Sequence, residues 1–327
     1  TSEPRLEEDG SVIPPLAILS IAGGLTYLFM GGDLLVRGSM AIARKLGIPS
    51  AIVGATIVAL GTSLPELLVS ILAVNRDAGG IAMGNVVGSN IANILLVLGI
   101  PAIIAPIVAD HRSMRAHAVF MLVTSAAFVG LCFFGPLREW HSLVLLGILV
   151  GAILLSVTGR LSLIDLSAKE EKIERTLGLP ERPLFAALFV LFGAGALPLG
   201  ADLTLKGVTE LAAQAGIPET AIAASVVALG TSLPELSVSV LAALHRQLGM
   251  AIGNVVGSNS LNILFVIGLT GMVAPIPVAE RFLTFDLWVM LGFAALLTGL
   301  VLRGGTLGRK LGIAFVVSYV AYVWLIF

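Results

Sequence analysis

The stretch "ALGTSLPELLVS" (residues 59–70) places a proline and a glutamate inside an apolar run long enough to cross a bilayer. It returns as "ALGTSLPELSVS" at 228–239. Proline lacks an N–H and clashes with the carbonyl one turn earlier. An ionisable side chain at the bilayer centre costs at least about 2.5–3.5 kcal/mol on insertion scales. Both costs are met twice, at matching places, so Glu66 and Glu235 are candidate site residues from the outset.

The repeat extends far beyond the motif. A shift of 169 residues brings Asp33 onto Asp202, Glu66 onto Glu235, Asn93 onto Asn262 and Pro106 onto Pro275. Residues 54–100 and 223–269 share 29 identities in 47 positions, with no gap. This is an internal duplication.

Composition sets the environment. The 327 residues are 57% hydrophobic and 12% charged, against about 25% charged in soluble domains. The mean hydropathy is +1.03. These values predict an all-α integral membrane protein, helical rather than a barrel because no long alternating strands occur. A net charge of −1 and the lack of a basic patch give no sign of a nucleic-acid partner. Cys132 is the single cysteine and reads as a packing residue. No signal-peptide pattern opens the sequence, and the polar "TSEPRLEEDG" is expected to fray.

A crossing takes roughly 20 apolar residues. Polar breaks give ten expected spans: 13–37, 50–74, 80–106, 116–135, 140–158, 184–209, 218–243, 249–275, 283–302 and 307–326. The charged segment 160–183 separates a first repeat (1–159) from a second (184–327), five spans in each. An odd number per half turns the second copy upside down, and inverted repeats characterise transporters with ion sites at the midplane. Thirteen loop cations, Arg44, Lys45 and Arg246 among them, fall on one side against four on the other. The richer side is expected in the cytoplasm, with both termini outside.

Pro65 and Gly61 are expected to open the helix around Ala59–Ser63 and free backbone carbonyls. Such carbonyls must face protein, water or an ion. Thr62 and Ser63 add hydroxyls, and Glu66 follows Thr62 by four residues on one helical face. Thr231, Ser232, Pro234 and Glu235 repeat the set. The next spans carry "GNVVGSNIANILLVLG" (84–99) and "GNVVGSNSLNILFVIG" (253–268). In them Ser89 pairs with Asn93, and Ser258 with Asn262, at i, i+4. The donors are all oxygen, which suits a hard cation such as Ca²⁺. Without nearby Cys or His, zinc and copper are disfavoured. The competing account of any one Ser, Thr or Asn is interhelical hydrogen bonding. For Asn85, Asn90, Asn254 and Asn259 the sequence leaves the two accounts equal.

On these residues the chain resembles the calcium/cation antiporter superfamily, specifically the sodium/calcium exchangers of bacterial type. "GTSLPE" and "GNxxGSNxxN" resemble its two alpha-repeats, and the likeness covers nearly the whole chain. The resemblance implies ten helices in two inverted five-helix repeats. It implies calcium held by Glu66, Glu235, Thr62, Thr231 and the carbonyls of Ala59 and Ala228. Sodium sites would add Ser63, Ser232, Ser89 and Ser258, with Asn93 and Asn262 beside them. It also implies that the first and sixth helices slide to alternate access. Some members carry aspartate where this chain has Asn262, so this cage holds at most two negative charges. One Ca²⁺ or two H⁺ balance them, whereas three Na⁺ leave one positive charge. Charge counting permits both exchanges, and the motif resembles the sodium branch more closely.

Other residues point less directly to function. Asp33 with Arg37, and Asp202 with Lys206, read as i, i+4 ion pairs near the membrane surface, with gating as the alternative. The mixed charges around Glu170, Glu171 and Glu174 read as a solvated short helix. His111, His117, His141 and His245 lie in or near loops and do not suggest a proton relay. The expected function is therefore a Ca²⁺/Na⁺ antiporter in a cell membrane, expected to be a prokaryotic inner membrane from the compact form, with metal ions and lipid as its partners. No cofactor, catalytic residue or obligatory protein partner is expected. The alternatives are Ca²⁺/H⁺ exchange and, less favoured, a cation channel. An enzyme is disfavoured because the acids lack a paired nucleophile or a nucleotide motif.

Overall fold

The computed structural model describes residues 15–47, 50–108, 112–157, 179–214 and 230–326. The polar start, the linker acids and the first part of the seventh expected span, Ala228 included, lie outside the described residues. What is described is helical apart from short extended pairings. In chain order the helices are α1 (Pro15–Leu46), α2 (Ala51–Val74), α3 (Gly79–Ile104), α4 (Arg112–Cys132) and α5 (Glu139–Val157). They continue as α6 (Pro183–Gln214), α7 (Leu233–Leu244), α8 (Leu248–Val273), α9 (Phe282–Leu302) and α10 (Arg309–Ile326). Among the described residues, eight helices are long and apolar enough to cross a membrane.

Where both ends are described, the expected span limits agree with the helices to within a few residues except at α1 and α6; the start expected at 218 lies outside the described residues. Both run for 32 residues, about 48 Å at 1.5 Å per residue. They continue well past the expected ends at 37 and 209. Hydropathy marks where lipid contact ends, not where hydrogen bonding ends. α1 keeps its helix through Arg44 and Lys45, which favour a helix C-terminus.

α1 and α6 lie antiparallel along a seam of small residues spaced by seven. A Cβ on Gly24 would meet Gly200 O at 2.7 Å, and one on Gly31 would meet Gly193 O at 3.1 Å. Beyond these, Gly38 faces Ala186 O and Gly207 faces Ala17 O. Lipid tails are as apolar as leucine, so helices associate in membranes through close packing of small residues like these.

α3 and α8 form the centre. Met83, Val86, Ile91, Ile94 and Leu95 of α3 are buried with Val255, Val256, Ile263 and Leu264 of α8. Their turns change locally. Leu98 N–H donates five residues back to Asn93 O at 3.1 Å, and related wide turns start at Asn262 and Gly54. Wide turns of this kind occur often at functional sites.

The duplication reappears in the extended segments. Ile107–Val108 pairs antiparallel with Thr306–Leu307, and Ile276 pairs with Leu137. Ile276 is Ile107 advanced by 169, and Thr306 is Leu137 advanced by 169. Each half is thereby tied to the other.

Candidate cation-binding site

The bend at the motif is narrower than the sequence suggests. One residue, Ser63 (φ −86°, ψ 3°), separates two helical stretches of α2. Pro65 falls in the first turn of the second stretch, where its missing N–H is tolerated. Ala59 O is not freed. It accepts Ser63 N–H at 3.0 Å and has Thr62 Oγ1 at 3.3 Å. Proline instead withholds the donor that Gly61 O would have had.

Glu66 and Glu235 are both 0% exposed. The two carboxyl groups are near enough to interact electrostatically. Both oxygens of Glu66 and Oε2 of Glu235 have no hydrogen-bond partner. Ser63 Oγ lies 3.5 Å from Glu235 Oε1. Burying a carboxylate without donors is expensive. Orphaned acceptors of one chemistry, converging from two helices, suit a cation.

Hydroxyl and amide groups surround them in matched sets. Asn85 Nδ2 donates to Glu66 O (3.1 Å) and Ser70 Oγ (3.0 Å), while its Oδ1 accepts from Thr231 (3.0 Å). In the other half Asn254 Nδ2 donates to Glu235 O (3.4 Å) and Ser239 Oγ (3.1 Å), and its Oδ1 lies 3.3 Å from Thr62 Oγ1. Thr62 also lies 3.4 Å from Ser258 Oγ, as Thr231 does from Ser89 Oγ. Each asparagine therefore fastens the acid-bearing helix of its own half to the threonine of the other. Asn90 and Asn259 are a second clamp, each donating to the other's backbone carbonyl at 3.3 and 3.0 Å. Asn85, Asn90, Asn254 and Asn259 thus all make the interhelical bonds that one of the two accounts expects.

Asn93 and Asn262 differ although their sequence settings match. Asn262 Nδ2 donates to Asn90 Oδ1 at 3.2 Å, whereas both amide atoms of Asn93 are buried without a partner. Ser89 donates to Asn85 O. Ser232 Oγ is buried and unpartnered, adding a further free oxygen. Thus Thr62, Ser63, Glu66, Thr231 and Glu235 are brought together, with Ser89 and Ser258 against the threonines. The structure makes no statement about Ala228. No described group of three or more His, Cys, Asp or Glu gathers as a soft-metal site.

Sequence reasoning missed His245. Its Nε2 lies 2.8 Å from Asp33 Oδ1, while Asp33 Oδ2 accepts from Arg37 at 3.1 Å. The i, i+4 pairs are present as read, Asp202–Lys206 at 2.6 Å included. The partner from another helix carried no local signal.

A bundle of apolar helices with two buried acids in an oxygen-rich centre suits a hard cation, and the likeness to known proteins makes the class a cation exchanger. The sequence profile of the sodium/calcium exchanger protein family matches residues 16–158 and 185–327, and the chain belongs to this family. The sodium/calcium exchanger MaX1 of Methanosarcina acetivorans is 32% identical over 93% of this chain and 96% of its own. The inner membrane protein YrbG of Escherichia coli is 29% identical over 95% and 96%. A solved structure of the sodium-calcium exchanger NCX_Mj superimposes with a TM-score of 0.78 at 32% identity, covering 94% of this chain and 97% of that one.

Proposed function

We propose that this chain exchanges Ca²⁺ for Na⁺ across a cell membrane by alternating access, with ten helices in two inverted repeats and both termini outside. The observation that carries the reading is the pair of fully buried carboxyl groups, three of whose four oxygens have no donor. Calcium would lie between Glu66 and Glu235, with Thr62 and Thr231 and the Ala59 and Ala228 carbonyls completing its shell. Thr62 must turn from Ala59 O for that carbonyl to take part. Sodium ions would use the same acids with Ser63, Ser232, Ser89 and Ser258, beside Asn93 and Asn262.

Coupling follows from charge. One Ca²⁺ neutralises the two acids, as two Na⁺ do, and a third Na⁺ leaves one positive charge. A loaded cage can be enclosed cheaply, whereas an empty charged one cannot. Binding of one ion opposes the other because both need the same oxygens. The likeness to sodium/calcium exchangers supports sodium as the counter-ion. The α1–α6 seam supports joint movement of those two helices.

Reconstituted vesicles test this reading. A sodium gradient at uniform pH should drive calcium uptake, and a pH gradient without sodium should not. The reverse result would assign proton exchange. Rapid calcium flux that needs neither gradient would assign a channel.

A further inference from the structure

The two halves are alike in sequence but not in packing. α1 lies against α7. Ser237 Oγ donates to Leu28 O at 2.6 Å, and a Cβ on Gly32 would meet the Leu241 side chain at 2.6 Å. Leu241 is 3% exposed. Beyond it the contact ends at Asp33 and His245. The positions 169 residues away tell a different story. Leu72, the mate of Leu241, is 53% exposed, and Leu68, the mate of Ser237, is 58% exposed. Asp202, the mate of Asp33, meets only Lys206 among the described residues. Arg76, the mate of His245, is exposed and makes no described pair with Asp202.

From this asymmetry we infer that Asp33 and His245 form a latch that holds α1 closed over α7 at the end of the bundle bearing Arg44, Lys45 and Arg246, and that Asp202 and Arg76 form the corresponding latch at the opposite end when the exchanger turns over. The inference rests on the alternating-access reading above and deepens it.

Two sequences related by duplication can adopt each other's packing, so the arrangement of one half is a template for the other. In the exchanged state α6 covers Leu72 and brings Asp202 to Arg76, while Asp33 parts from His245. The second contact is the poorer one. Ala201 stands where Gly32 allows close approach, and Leu68 has no hydroxyl to bond a carbonyl. The observed state is therefore the preferred one. His245 touches no ion ligand; it acts as a positioning residue through α1.

The test uses full-length protein in vesicles of known orientation, with calcium KM measured from each face. Apparent affinity falls with the fraction of protein in the competent state. The ratio of inner to outer KM therefore reads the latch independently of the amount of folded protein. H245A and D33N should lower that ratio by about twofold to fivefold, the size expected for a partly buried polar contact between side chains. H245R should retain the wild-type ratio, and R76A should raise it. An unchanged ratio in both H245A and D33N overturns the latch, as does a shift in the same direction for H245A and R76A. Wild-type vesicles without sodium-driven calcium uptake would instead defeat the exchange reading itself.

Discussion

Replacing Gly200 with alanine sets two effects of opposite sign against each other. In a free helix, alanine is favoured over glycine by roughly 0.8–1.0 kcal/mol. In the α1–α6 seam the new Cβ would lie 2.7 Å from Leu28 N and 2.8 Å from Gly24 O. Ordinary contact begins near 3.4 Å, so the helices must part by about 0.7 Å, since the obstructing atoms are backbone and cannot rotate away. A gap of that size forfeits about a quarter to a half of each dispersion contact along the seam. Overpacking of this kind costs about 1–3 kcal/mol. Gly200→Ala should therefore lower the unfolding midpoint in detergent. Gly195→Ala on the same helix meets nothing within 4 Å and should leave the midpoint unchanged or raise it. If Gly200→Ala raises the midpoint as Gly195→Ala does, α1 and α6 are not held by backbone contact and the seam argument fails.

Three further outcomes are expected. Asn254→Ala removes the group joining the α7 carbonyl of Glu235 to Thr62 and should destabilise the fold by about 1–3 kcal/mol, with weaker calcium binding; calorimetry of calcium binding that matches wild type would count against the clamp. Thr231→Val deletes the hydroxyl bonded to Asn85 Oδ1 at 3.0 Å and should raise calcium KM about tenfold, the equivalent of about 1.4 kcal/mol; an unchanged KM would remove Thr231 from the site. Tyr322→Phe breaks the bond to buried Asp286 at 3.0 Å and should cost about 1–3 kcal/mol in stability. Exchange per folded molecule should survive that change, and its loss would give the Asp286 cluster a part in transport.

Much of this architecture is legible in the residues because lipid imposes simple rules. A duplicated apolar chain with one acid per copy leaves few options, and Glu66 and Glu235 stand out on cost alone. What the sequence hides depends on geometry between helices. Pro65 could be read as opening α2, yet a single residue at Ser63 absorbs the bend and Ala59 O keeps its partners. The wide turns at Asn93 and Asn262 leave no mark in spacing. Neither does the difference between those two asparagines, which share the GSNxxNIL frame but make different bonds. His245 does lie in the turn after α7, as read, but its partner Asp33 is 212 positions away on α1 and leaves no local signal.

The most direct trial is calcium uptake into sodium-loaded vesicles by Glu66→Gln and Glu235→Gln, each compared with wild type at equal folded amount. Each change keeps the side-chain shape and removes one of the two negative charges that balance Ca²⁺. Loss of uptake in both variants, with unfolding midpoints at or above wild type, is the predicted result. Wild-type uptake in both would contradict the claim that these acids hold the transported ion.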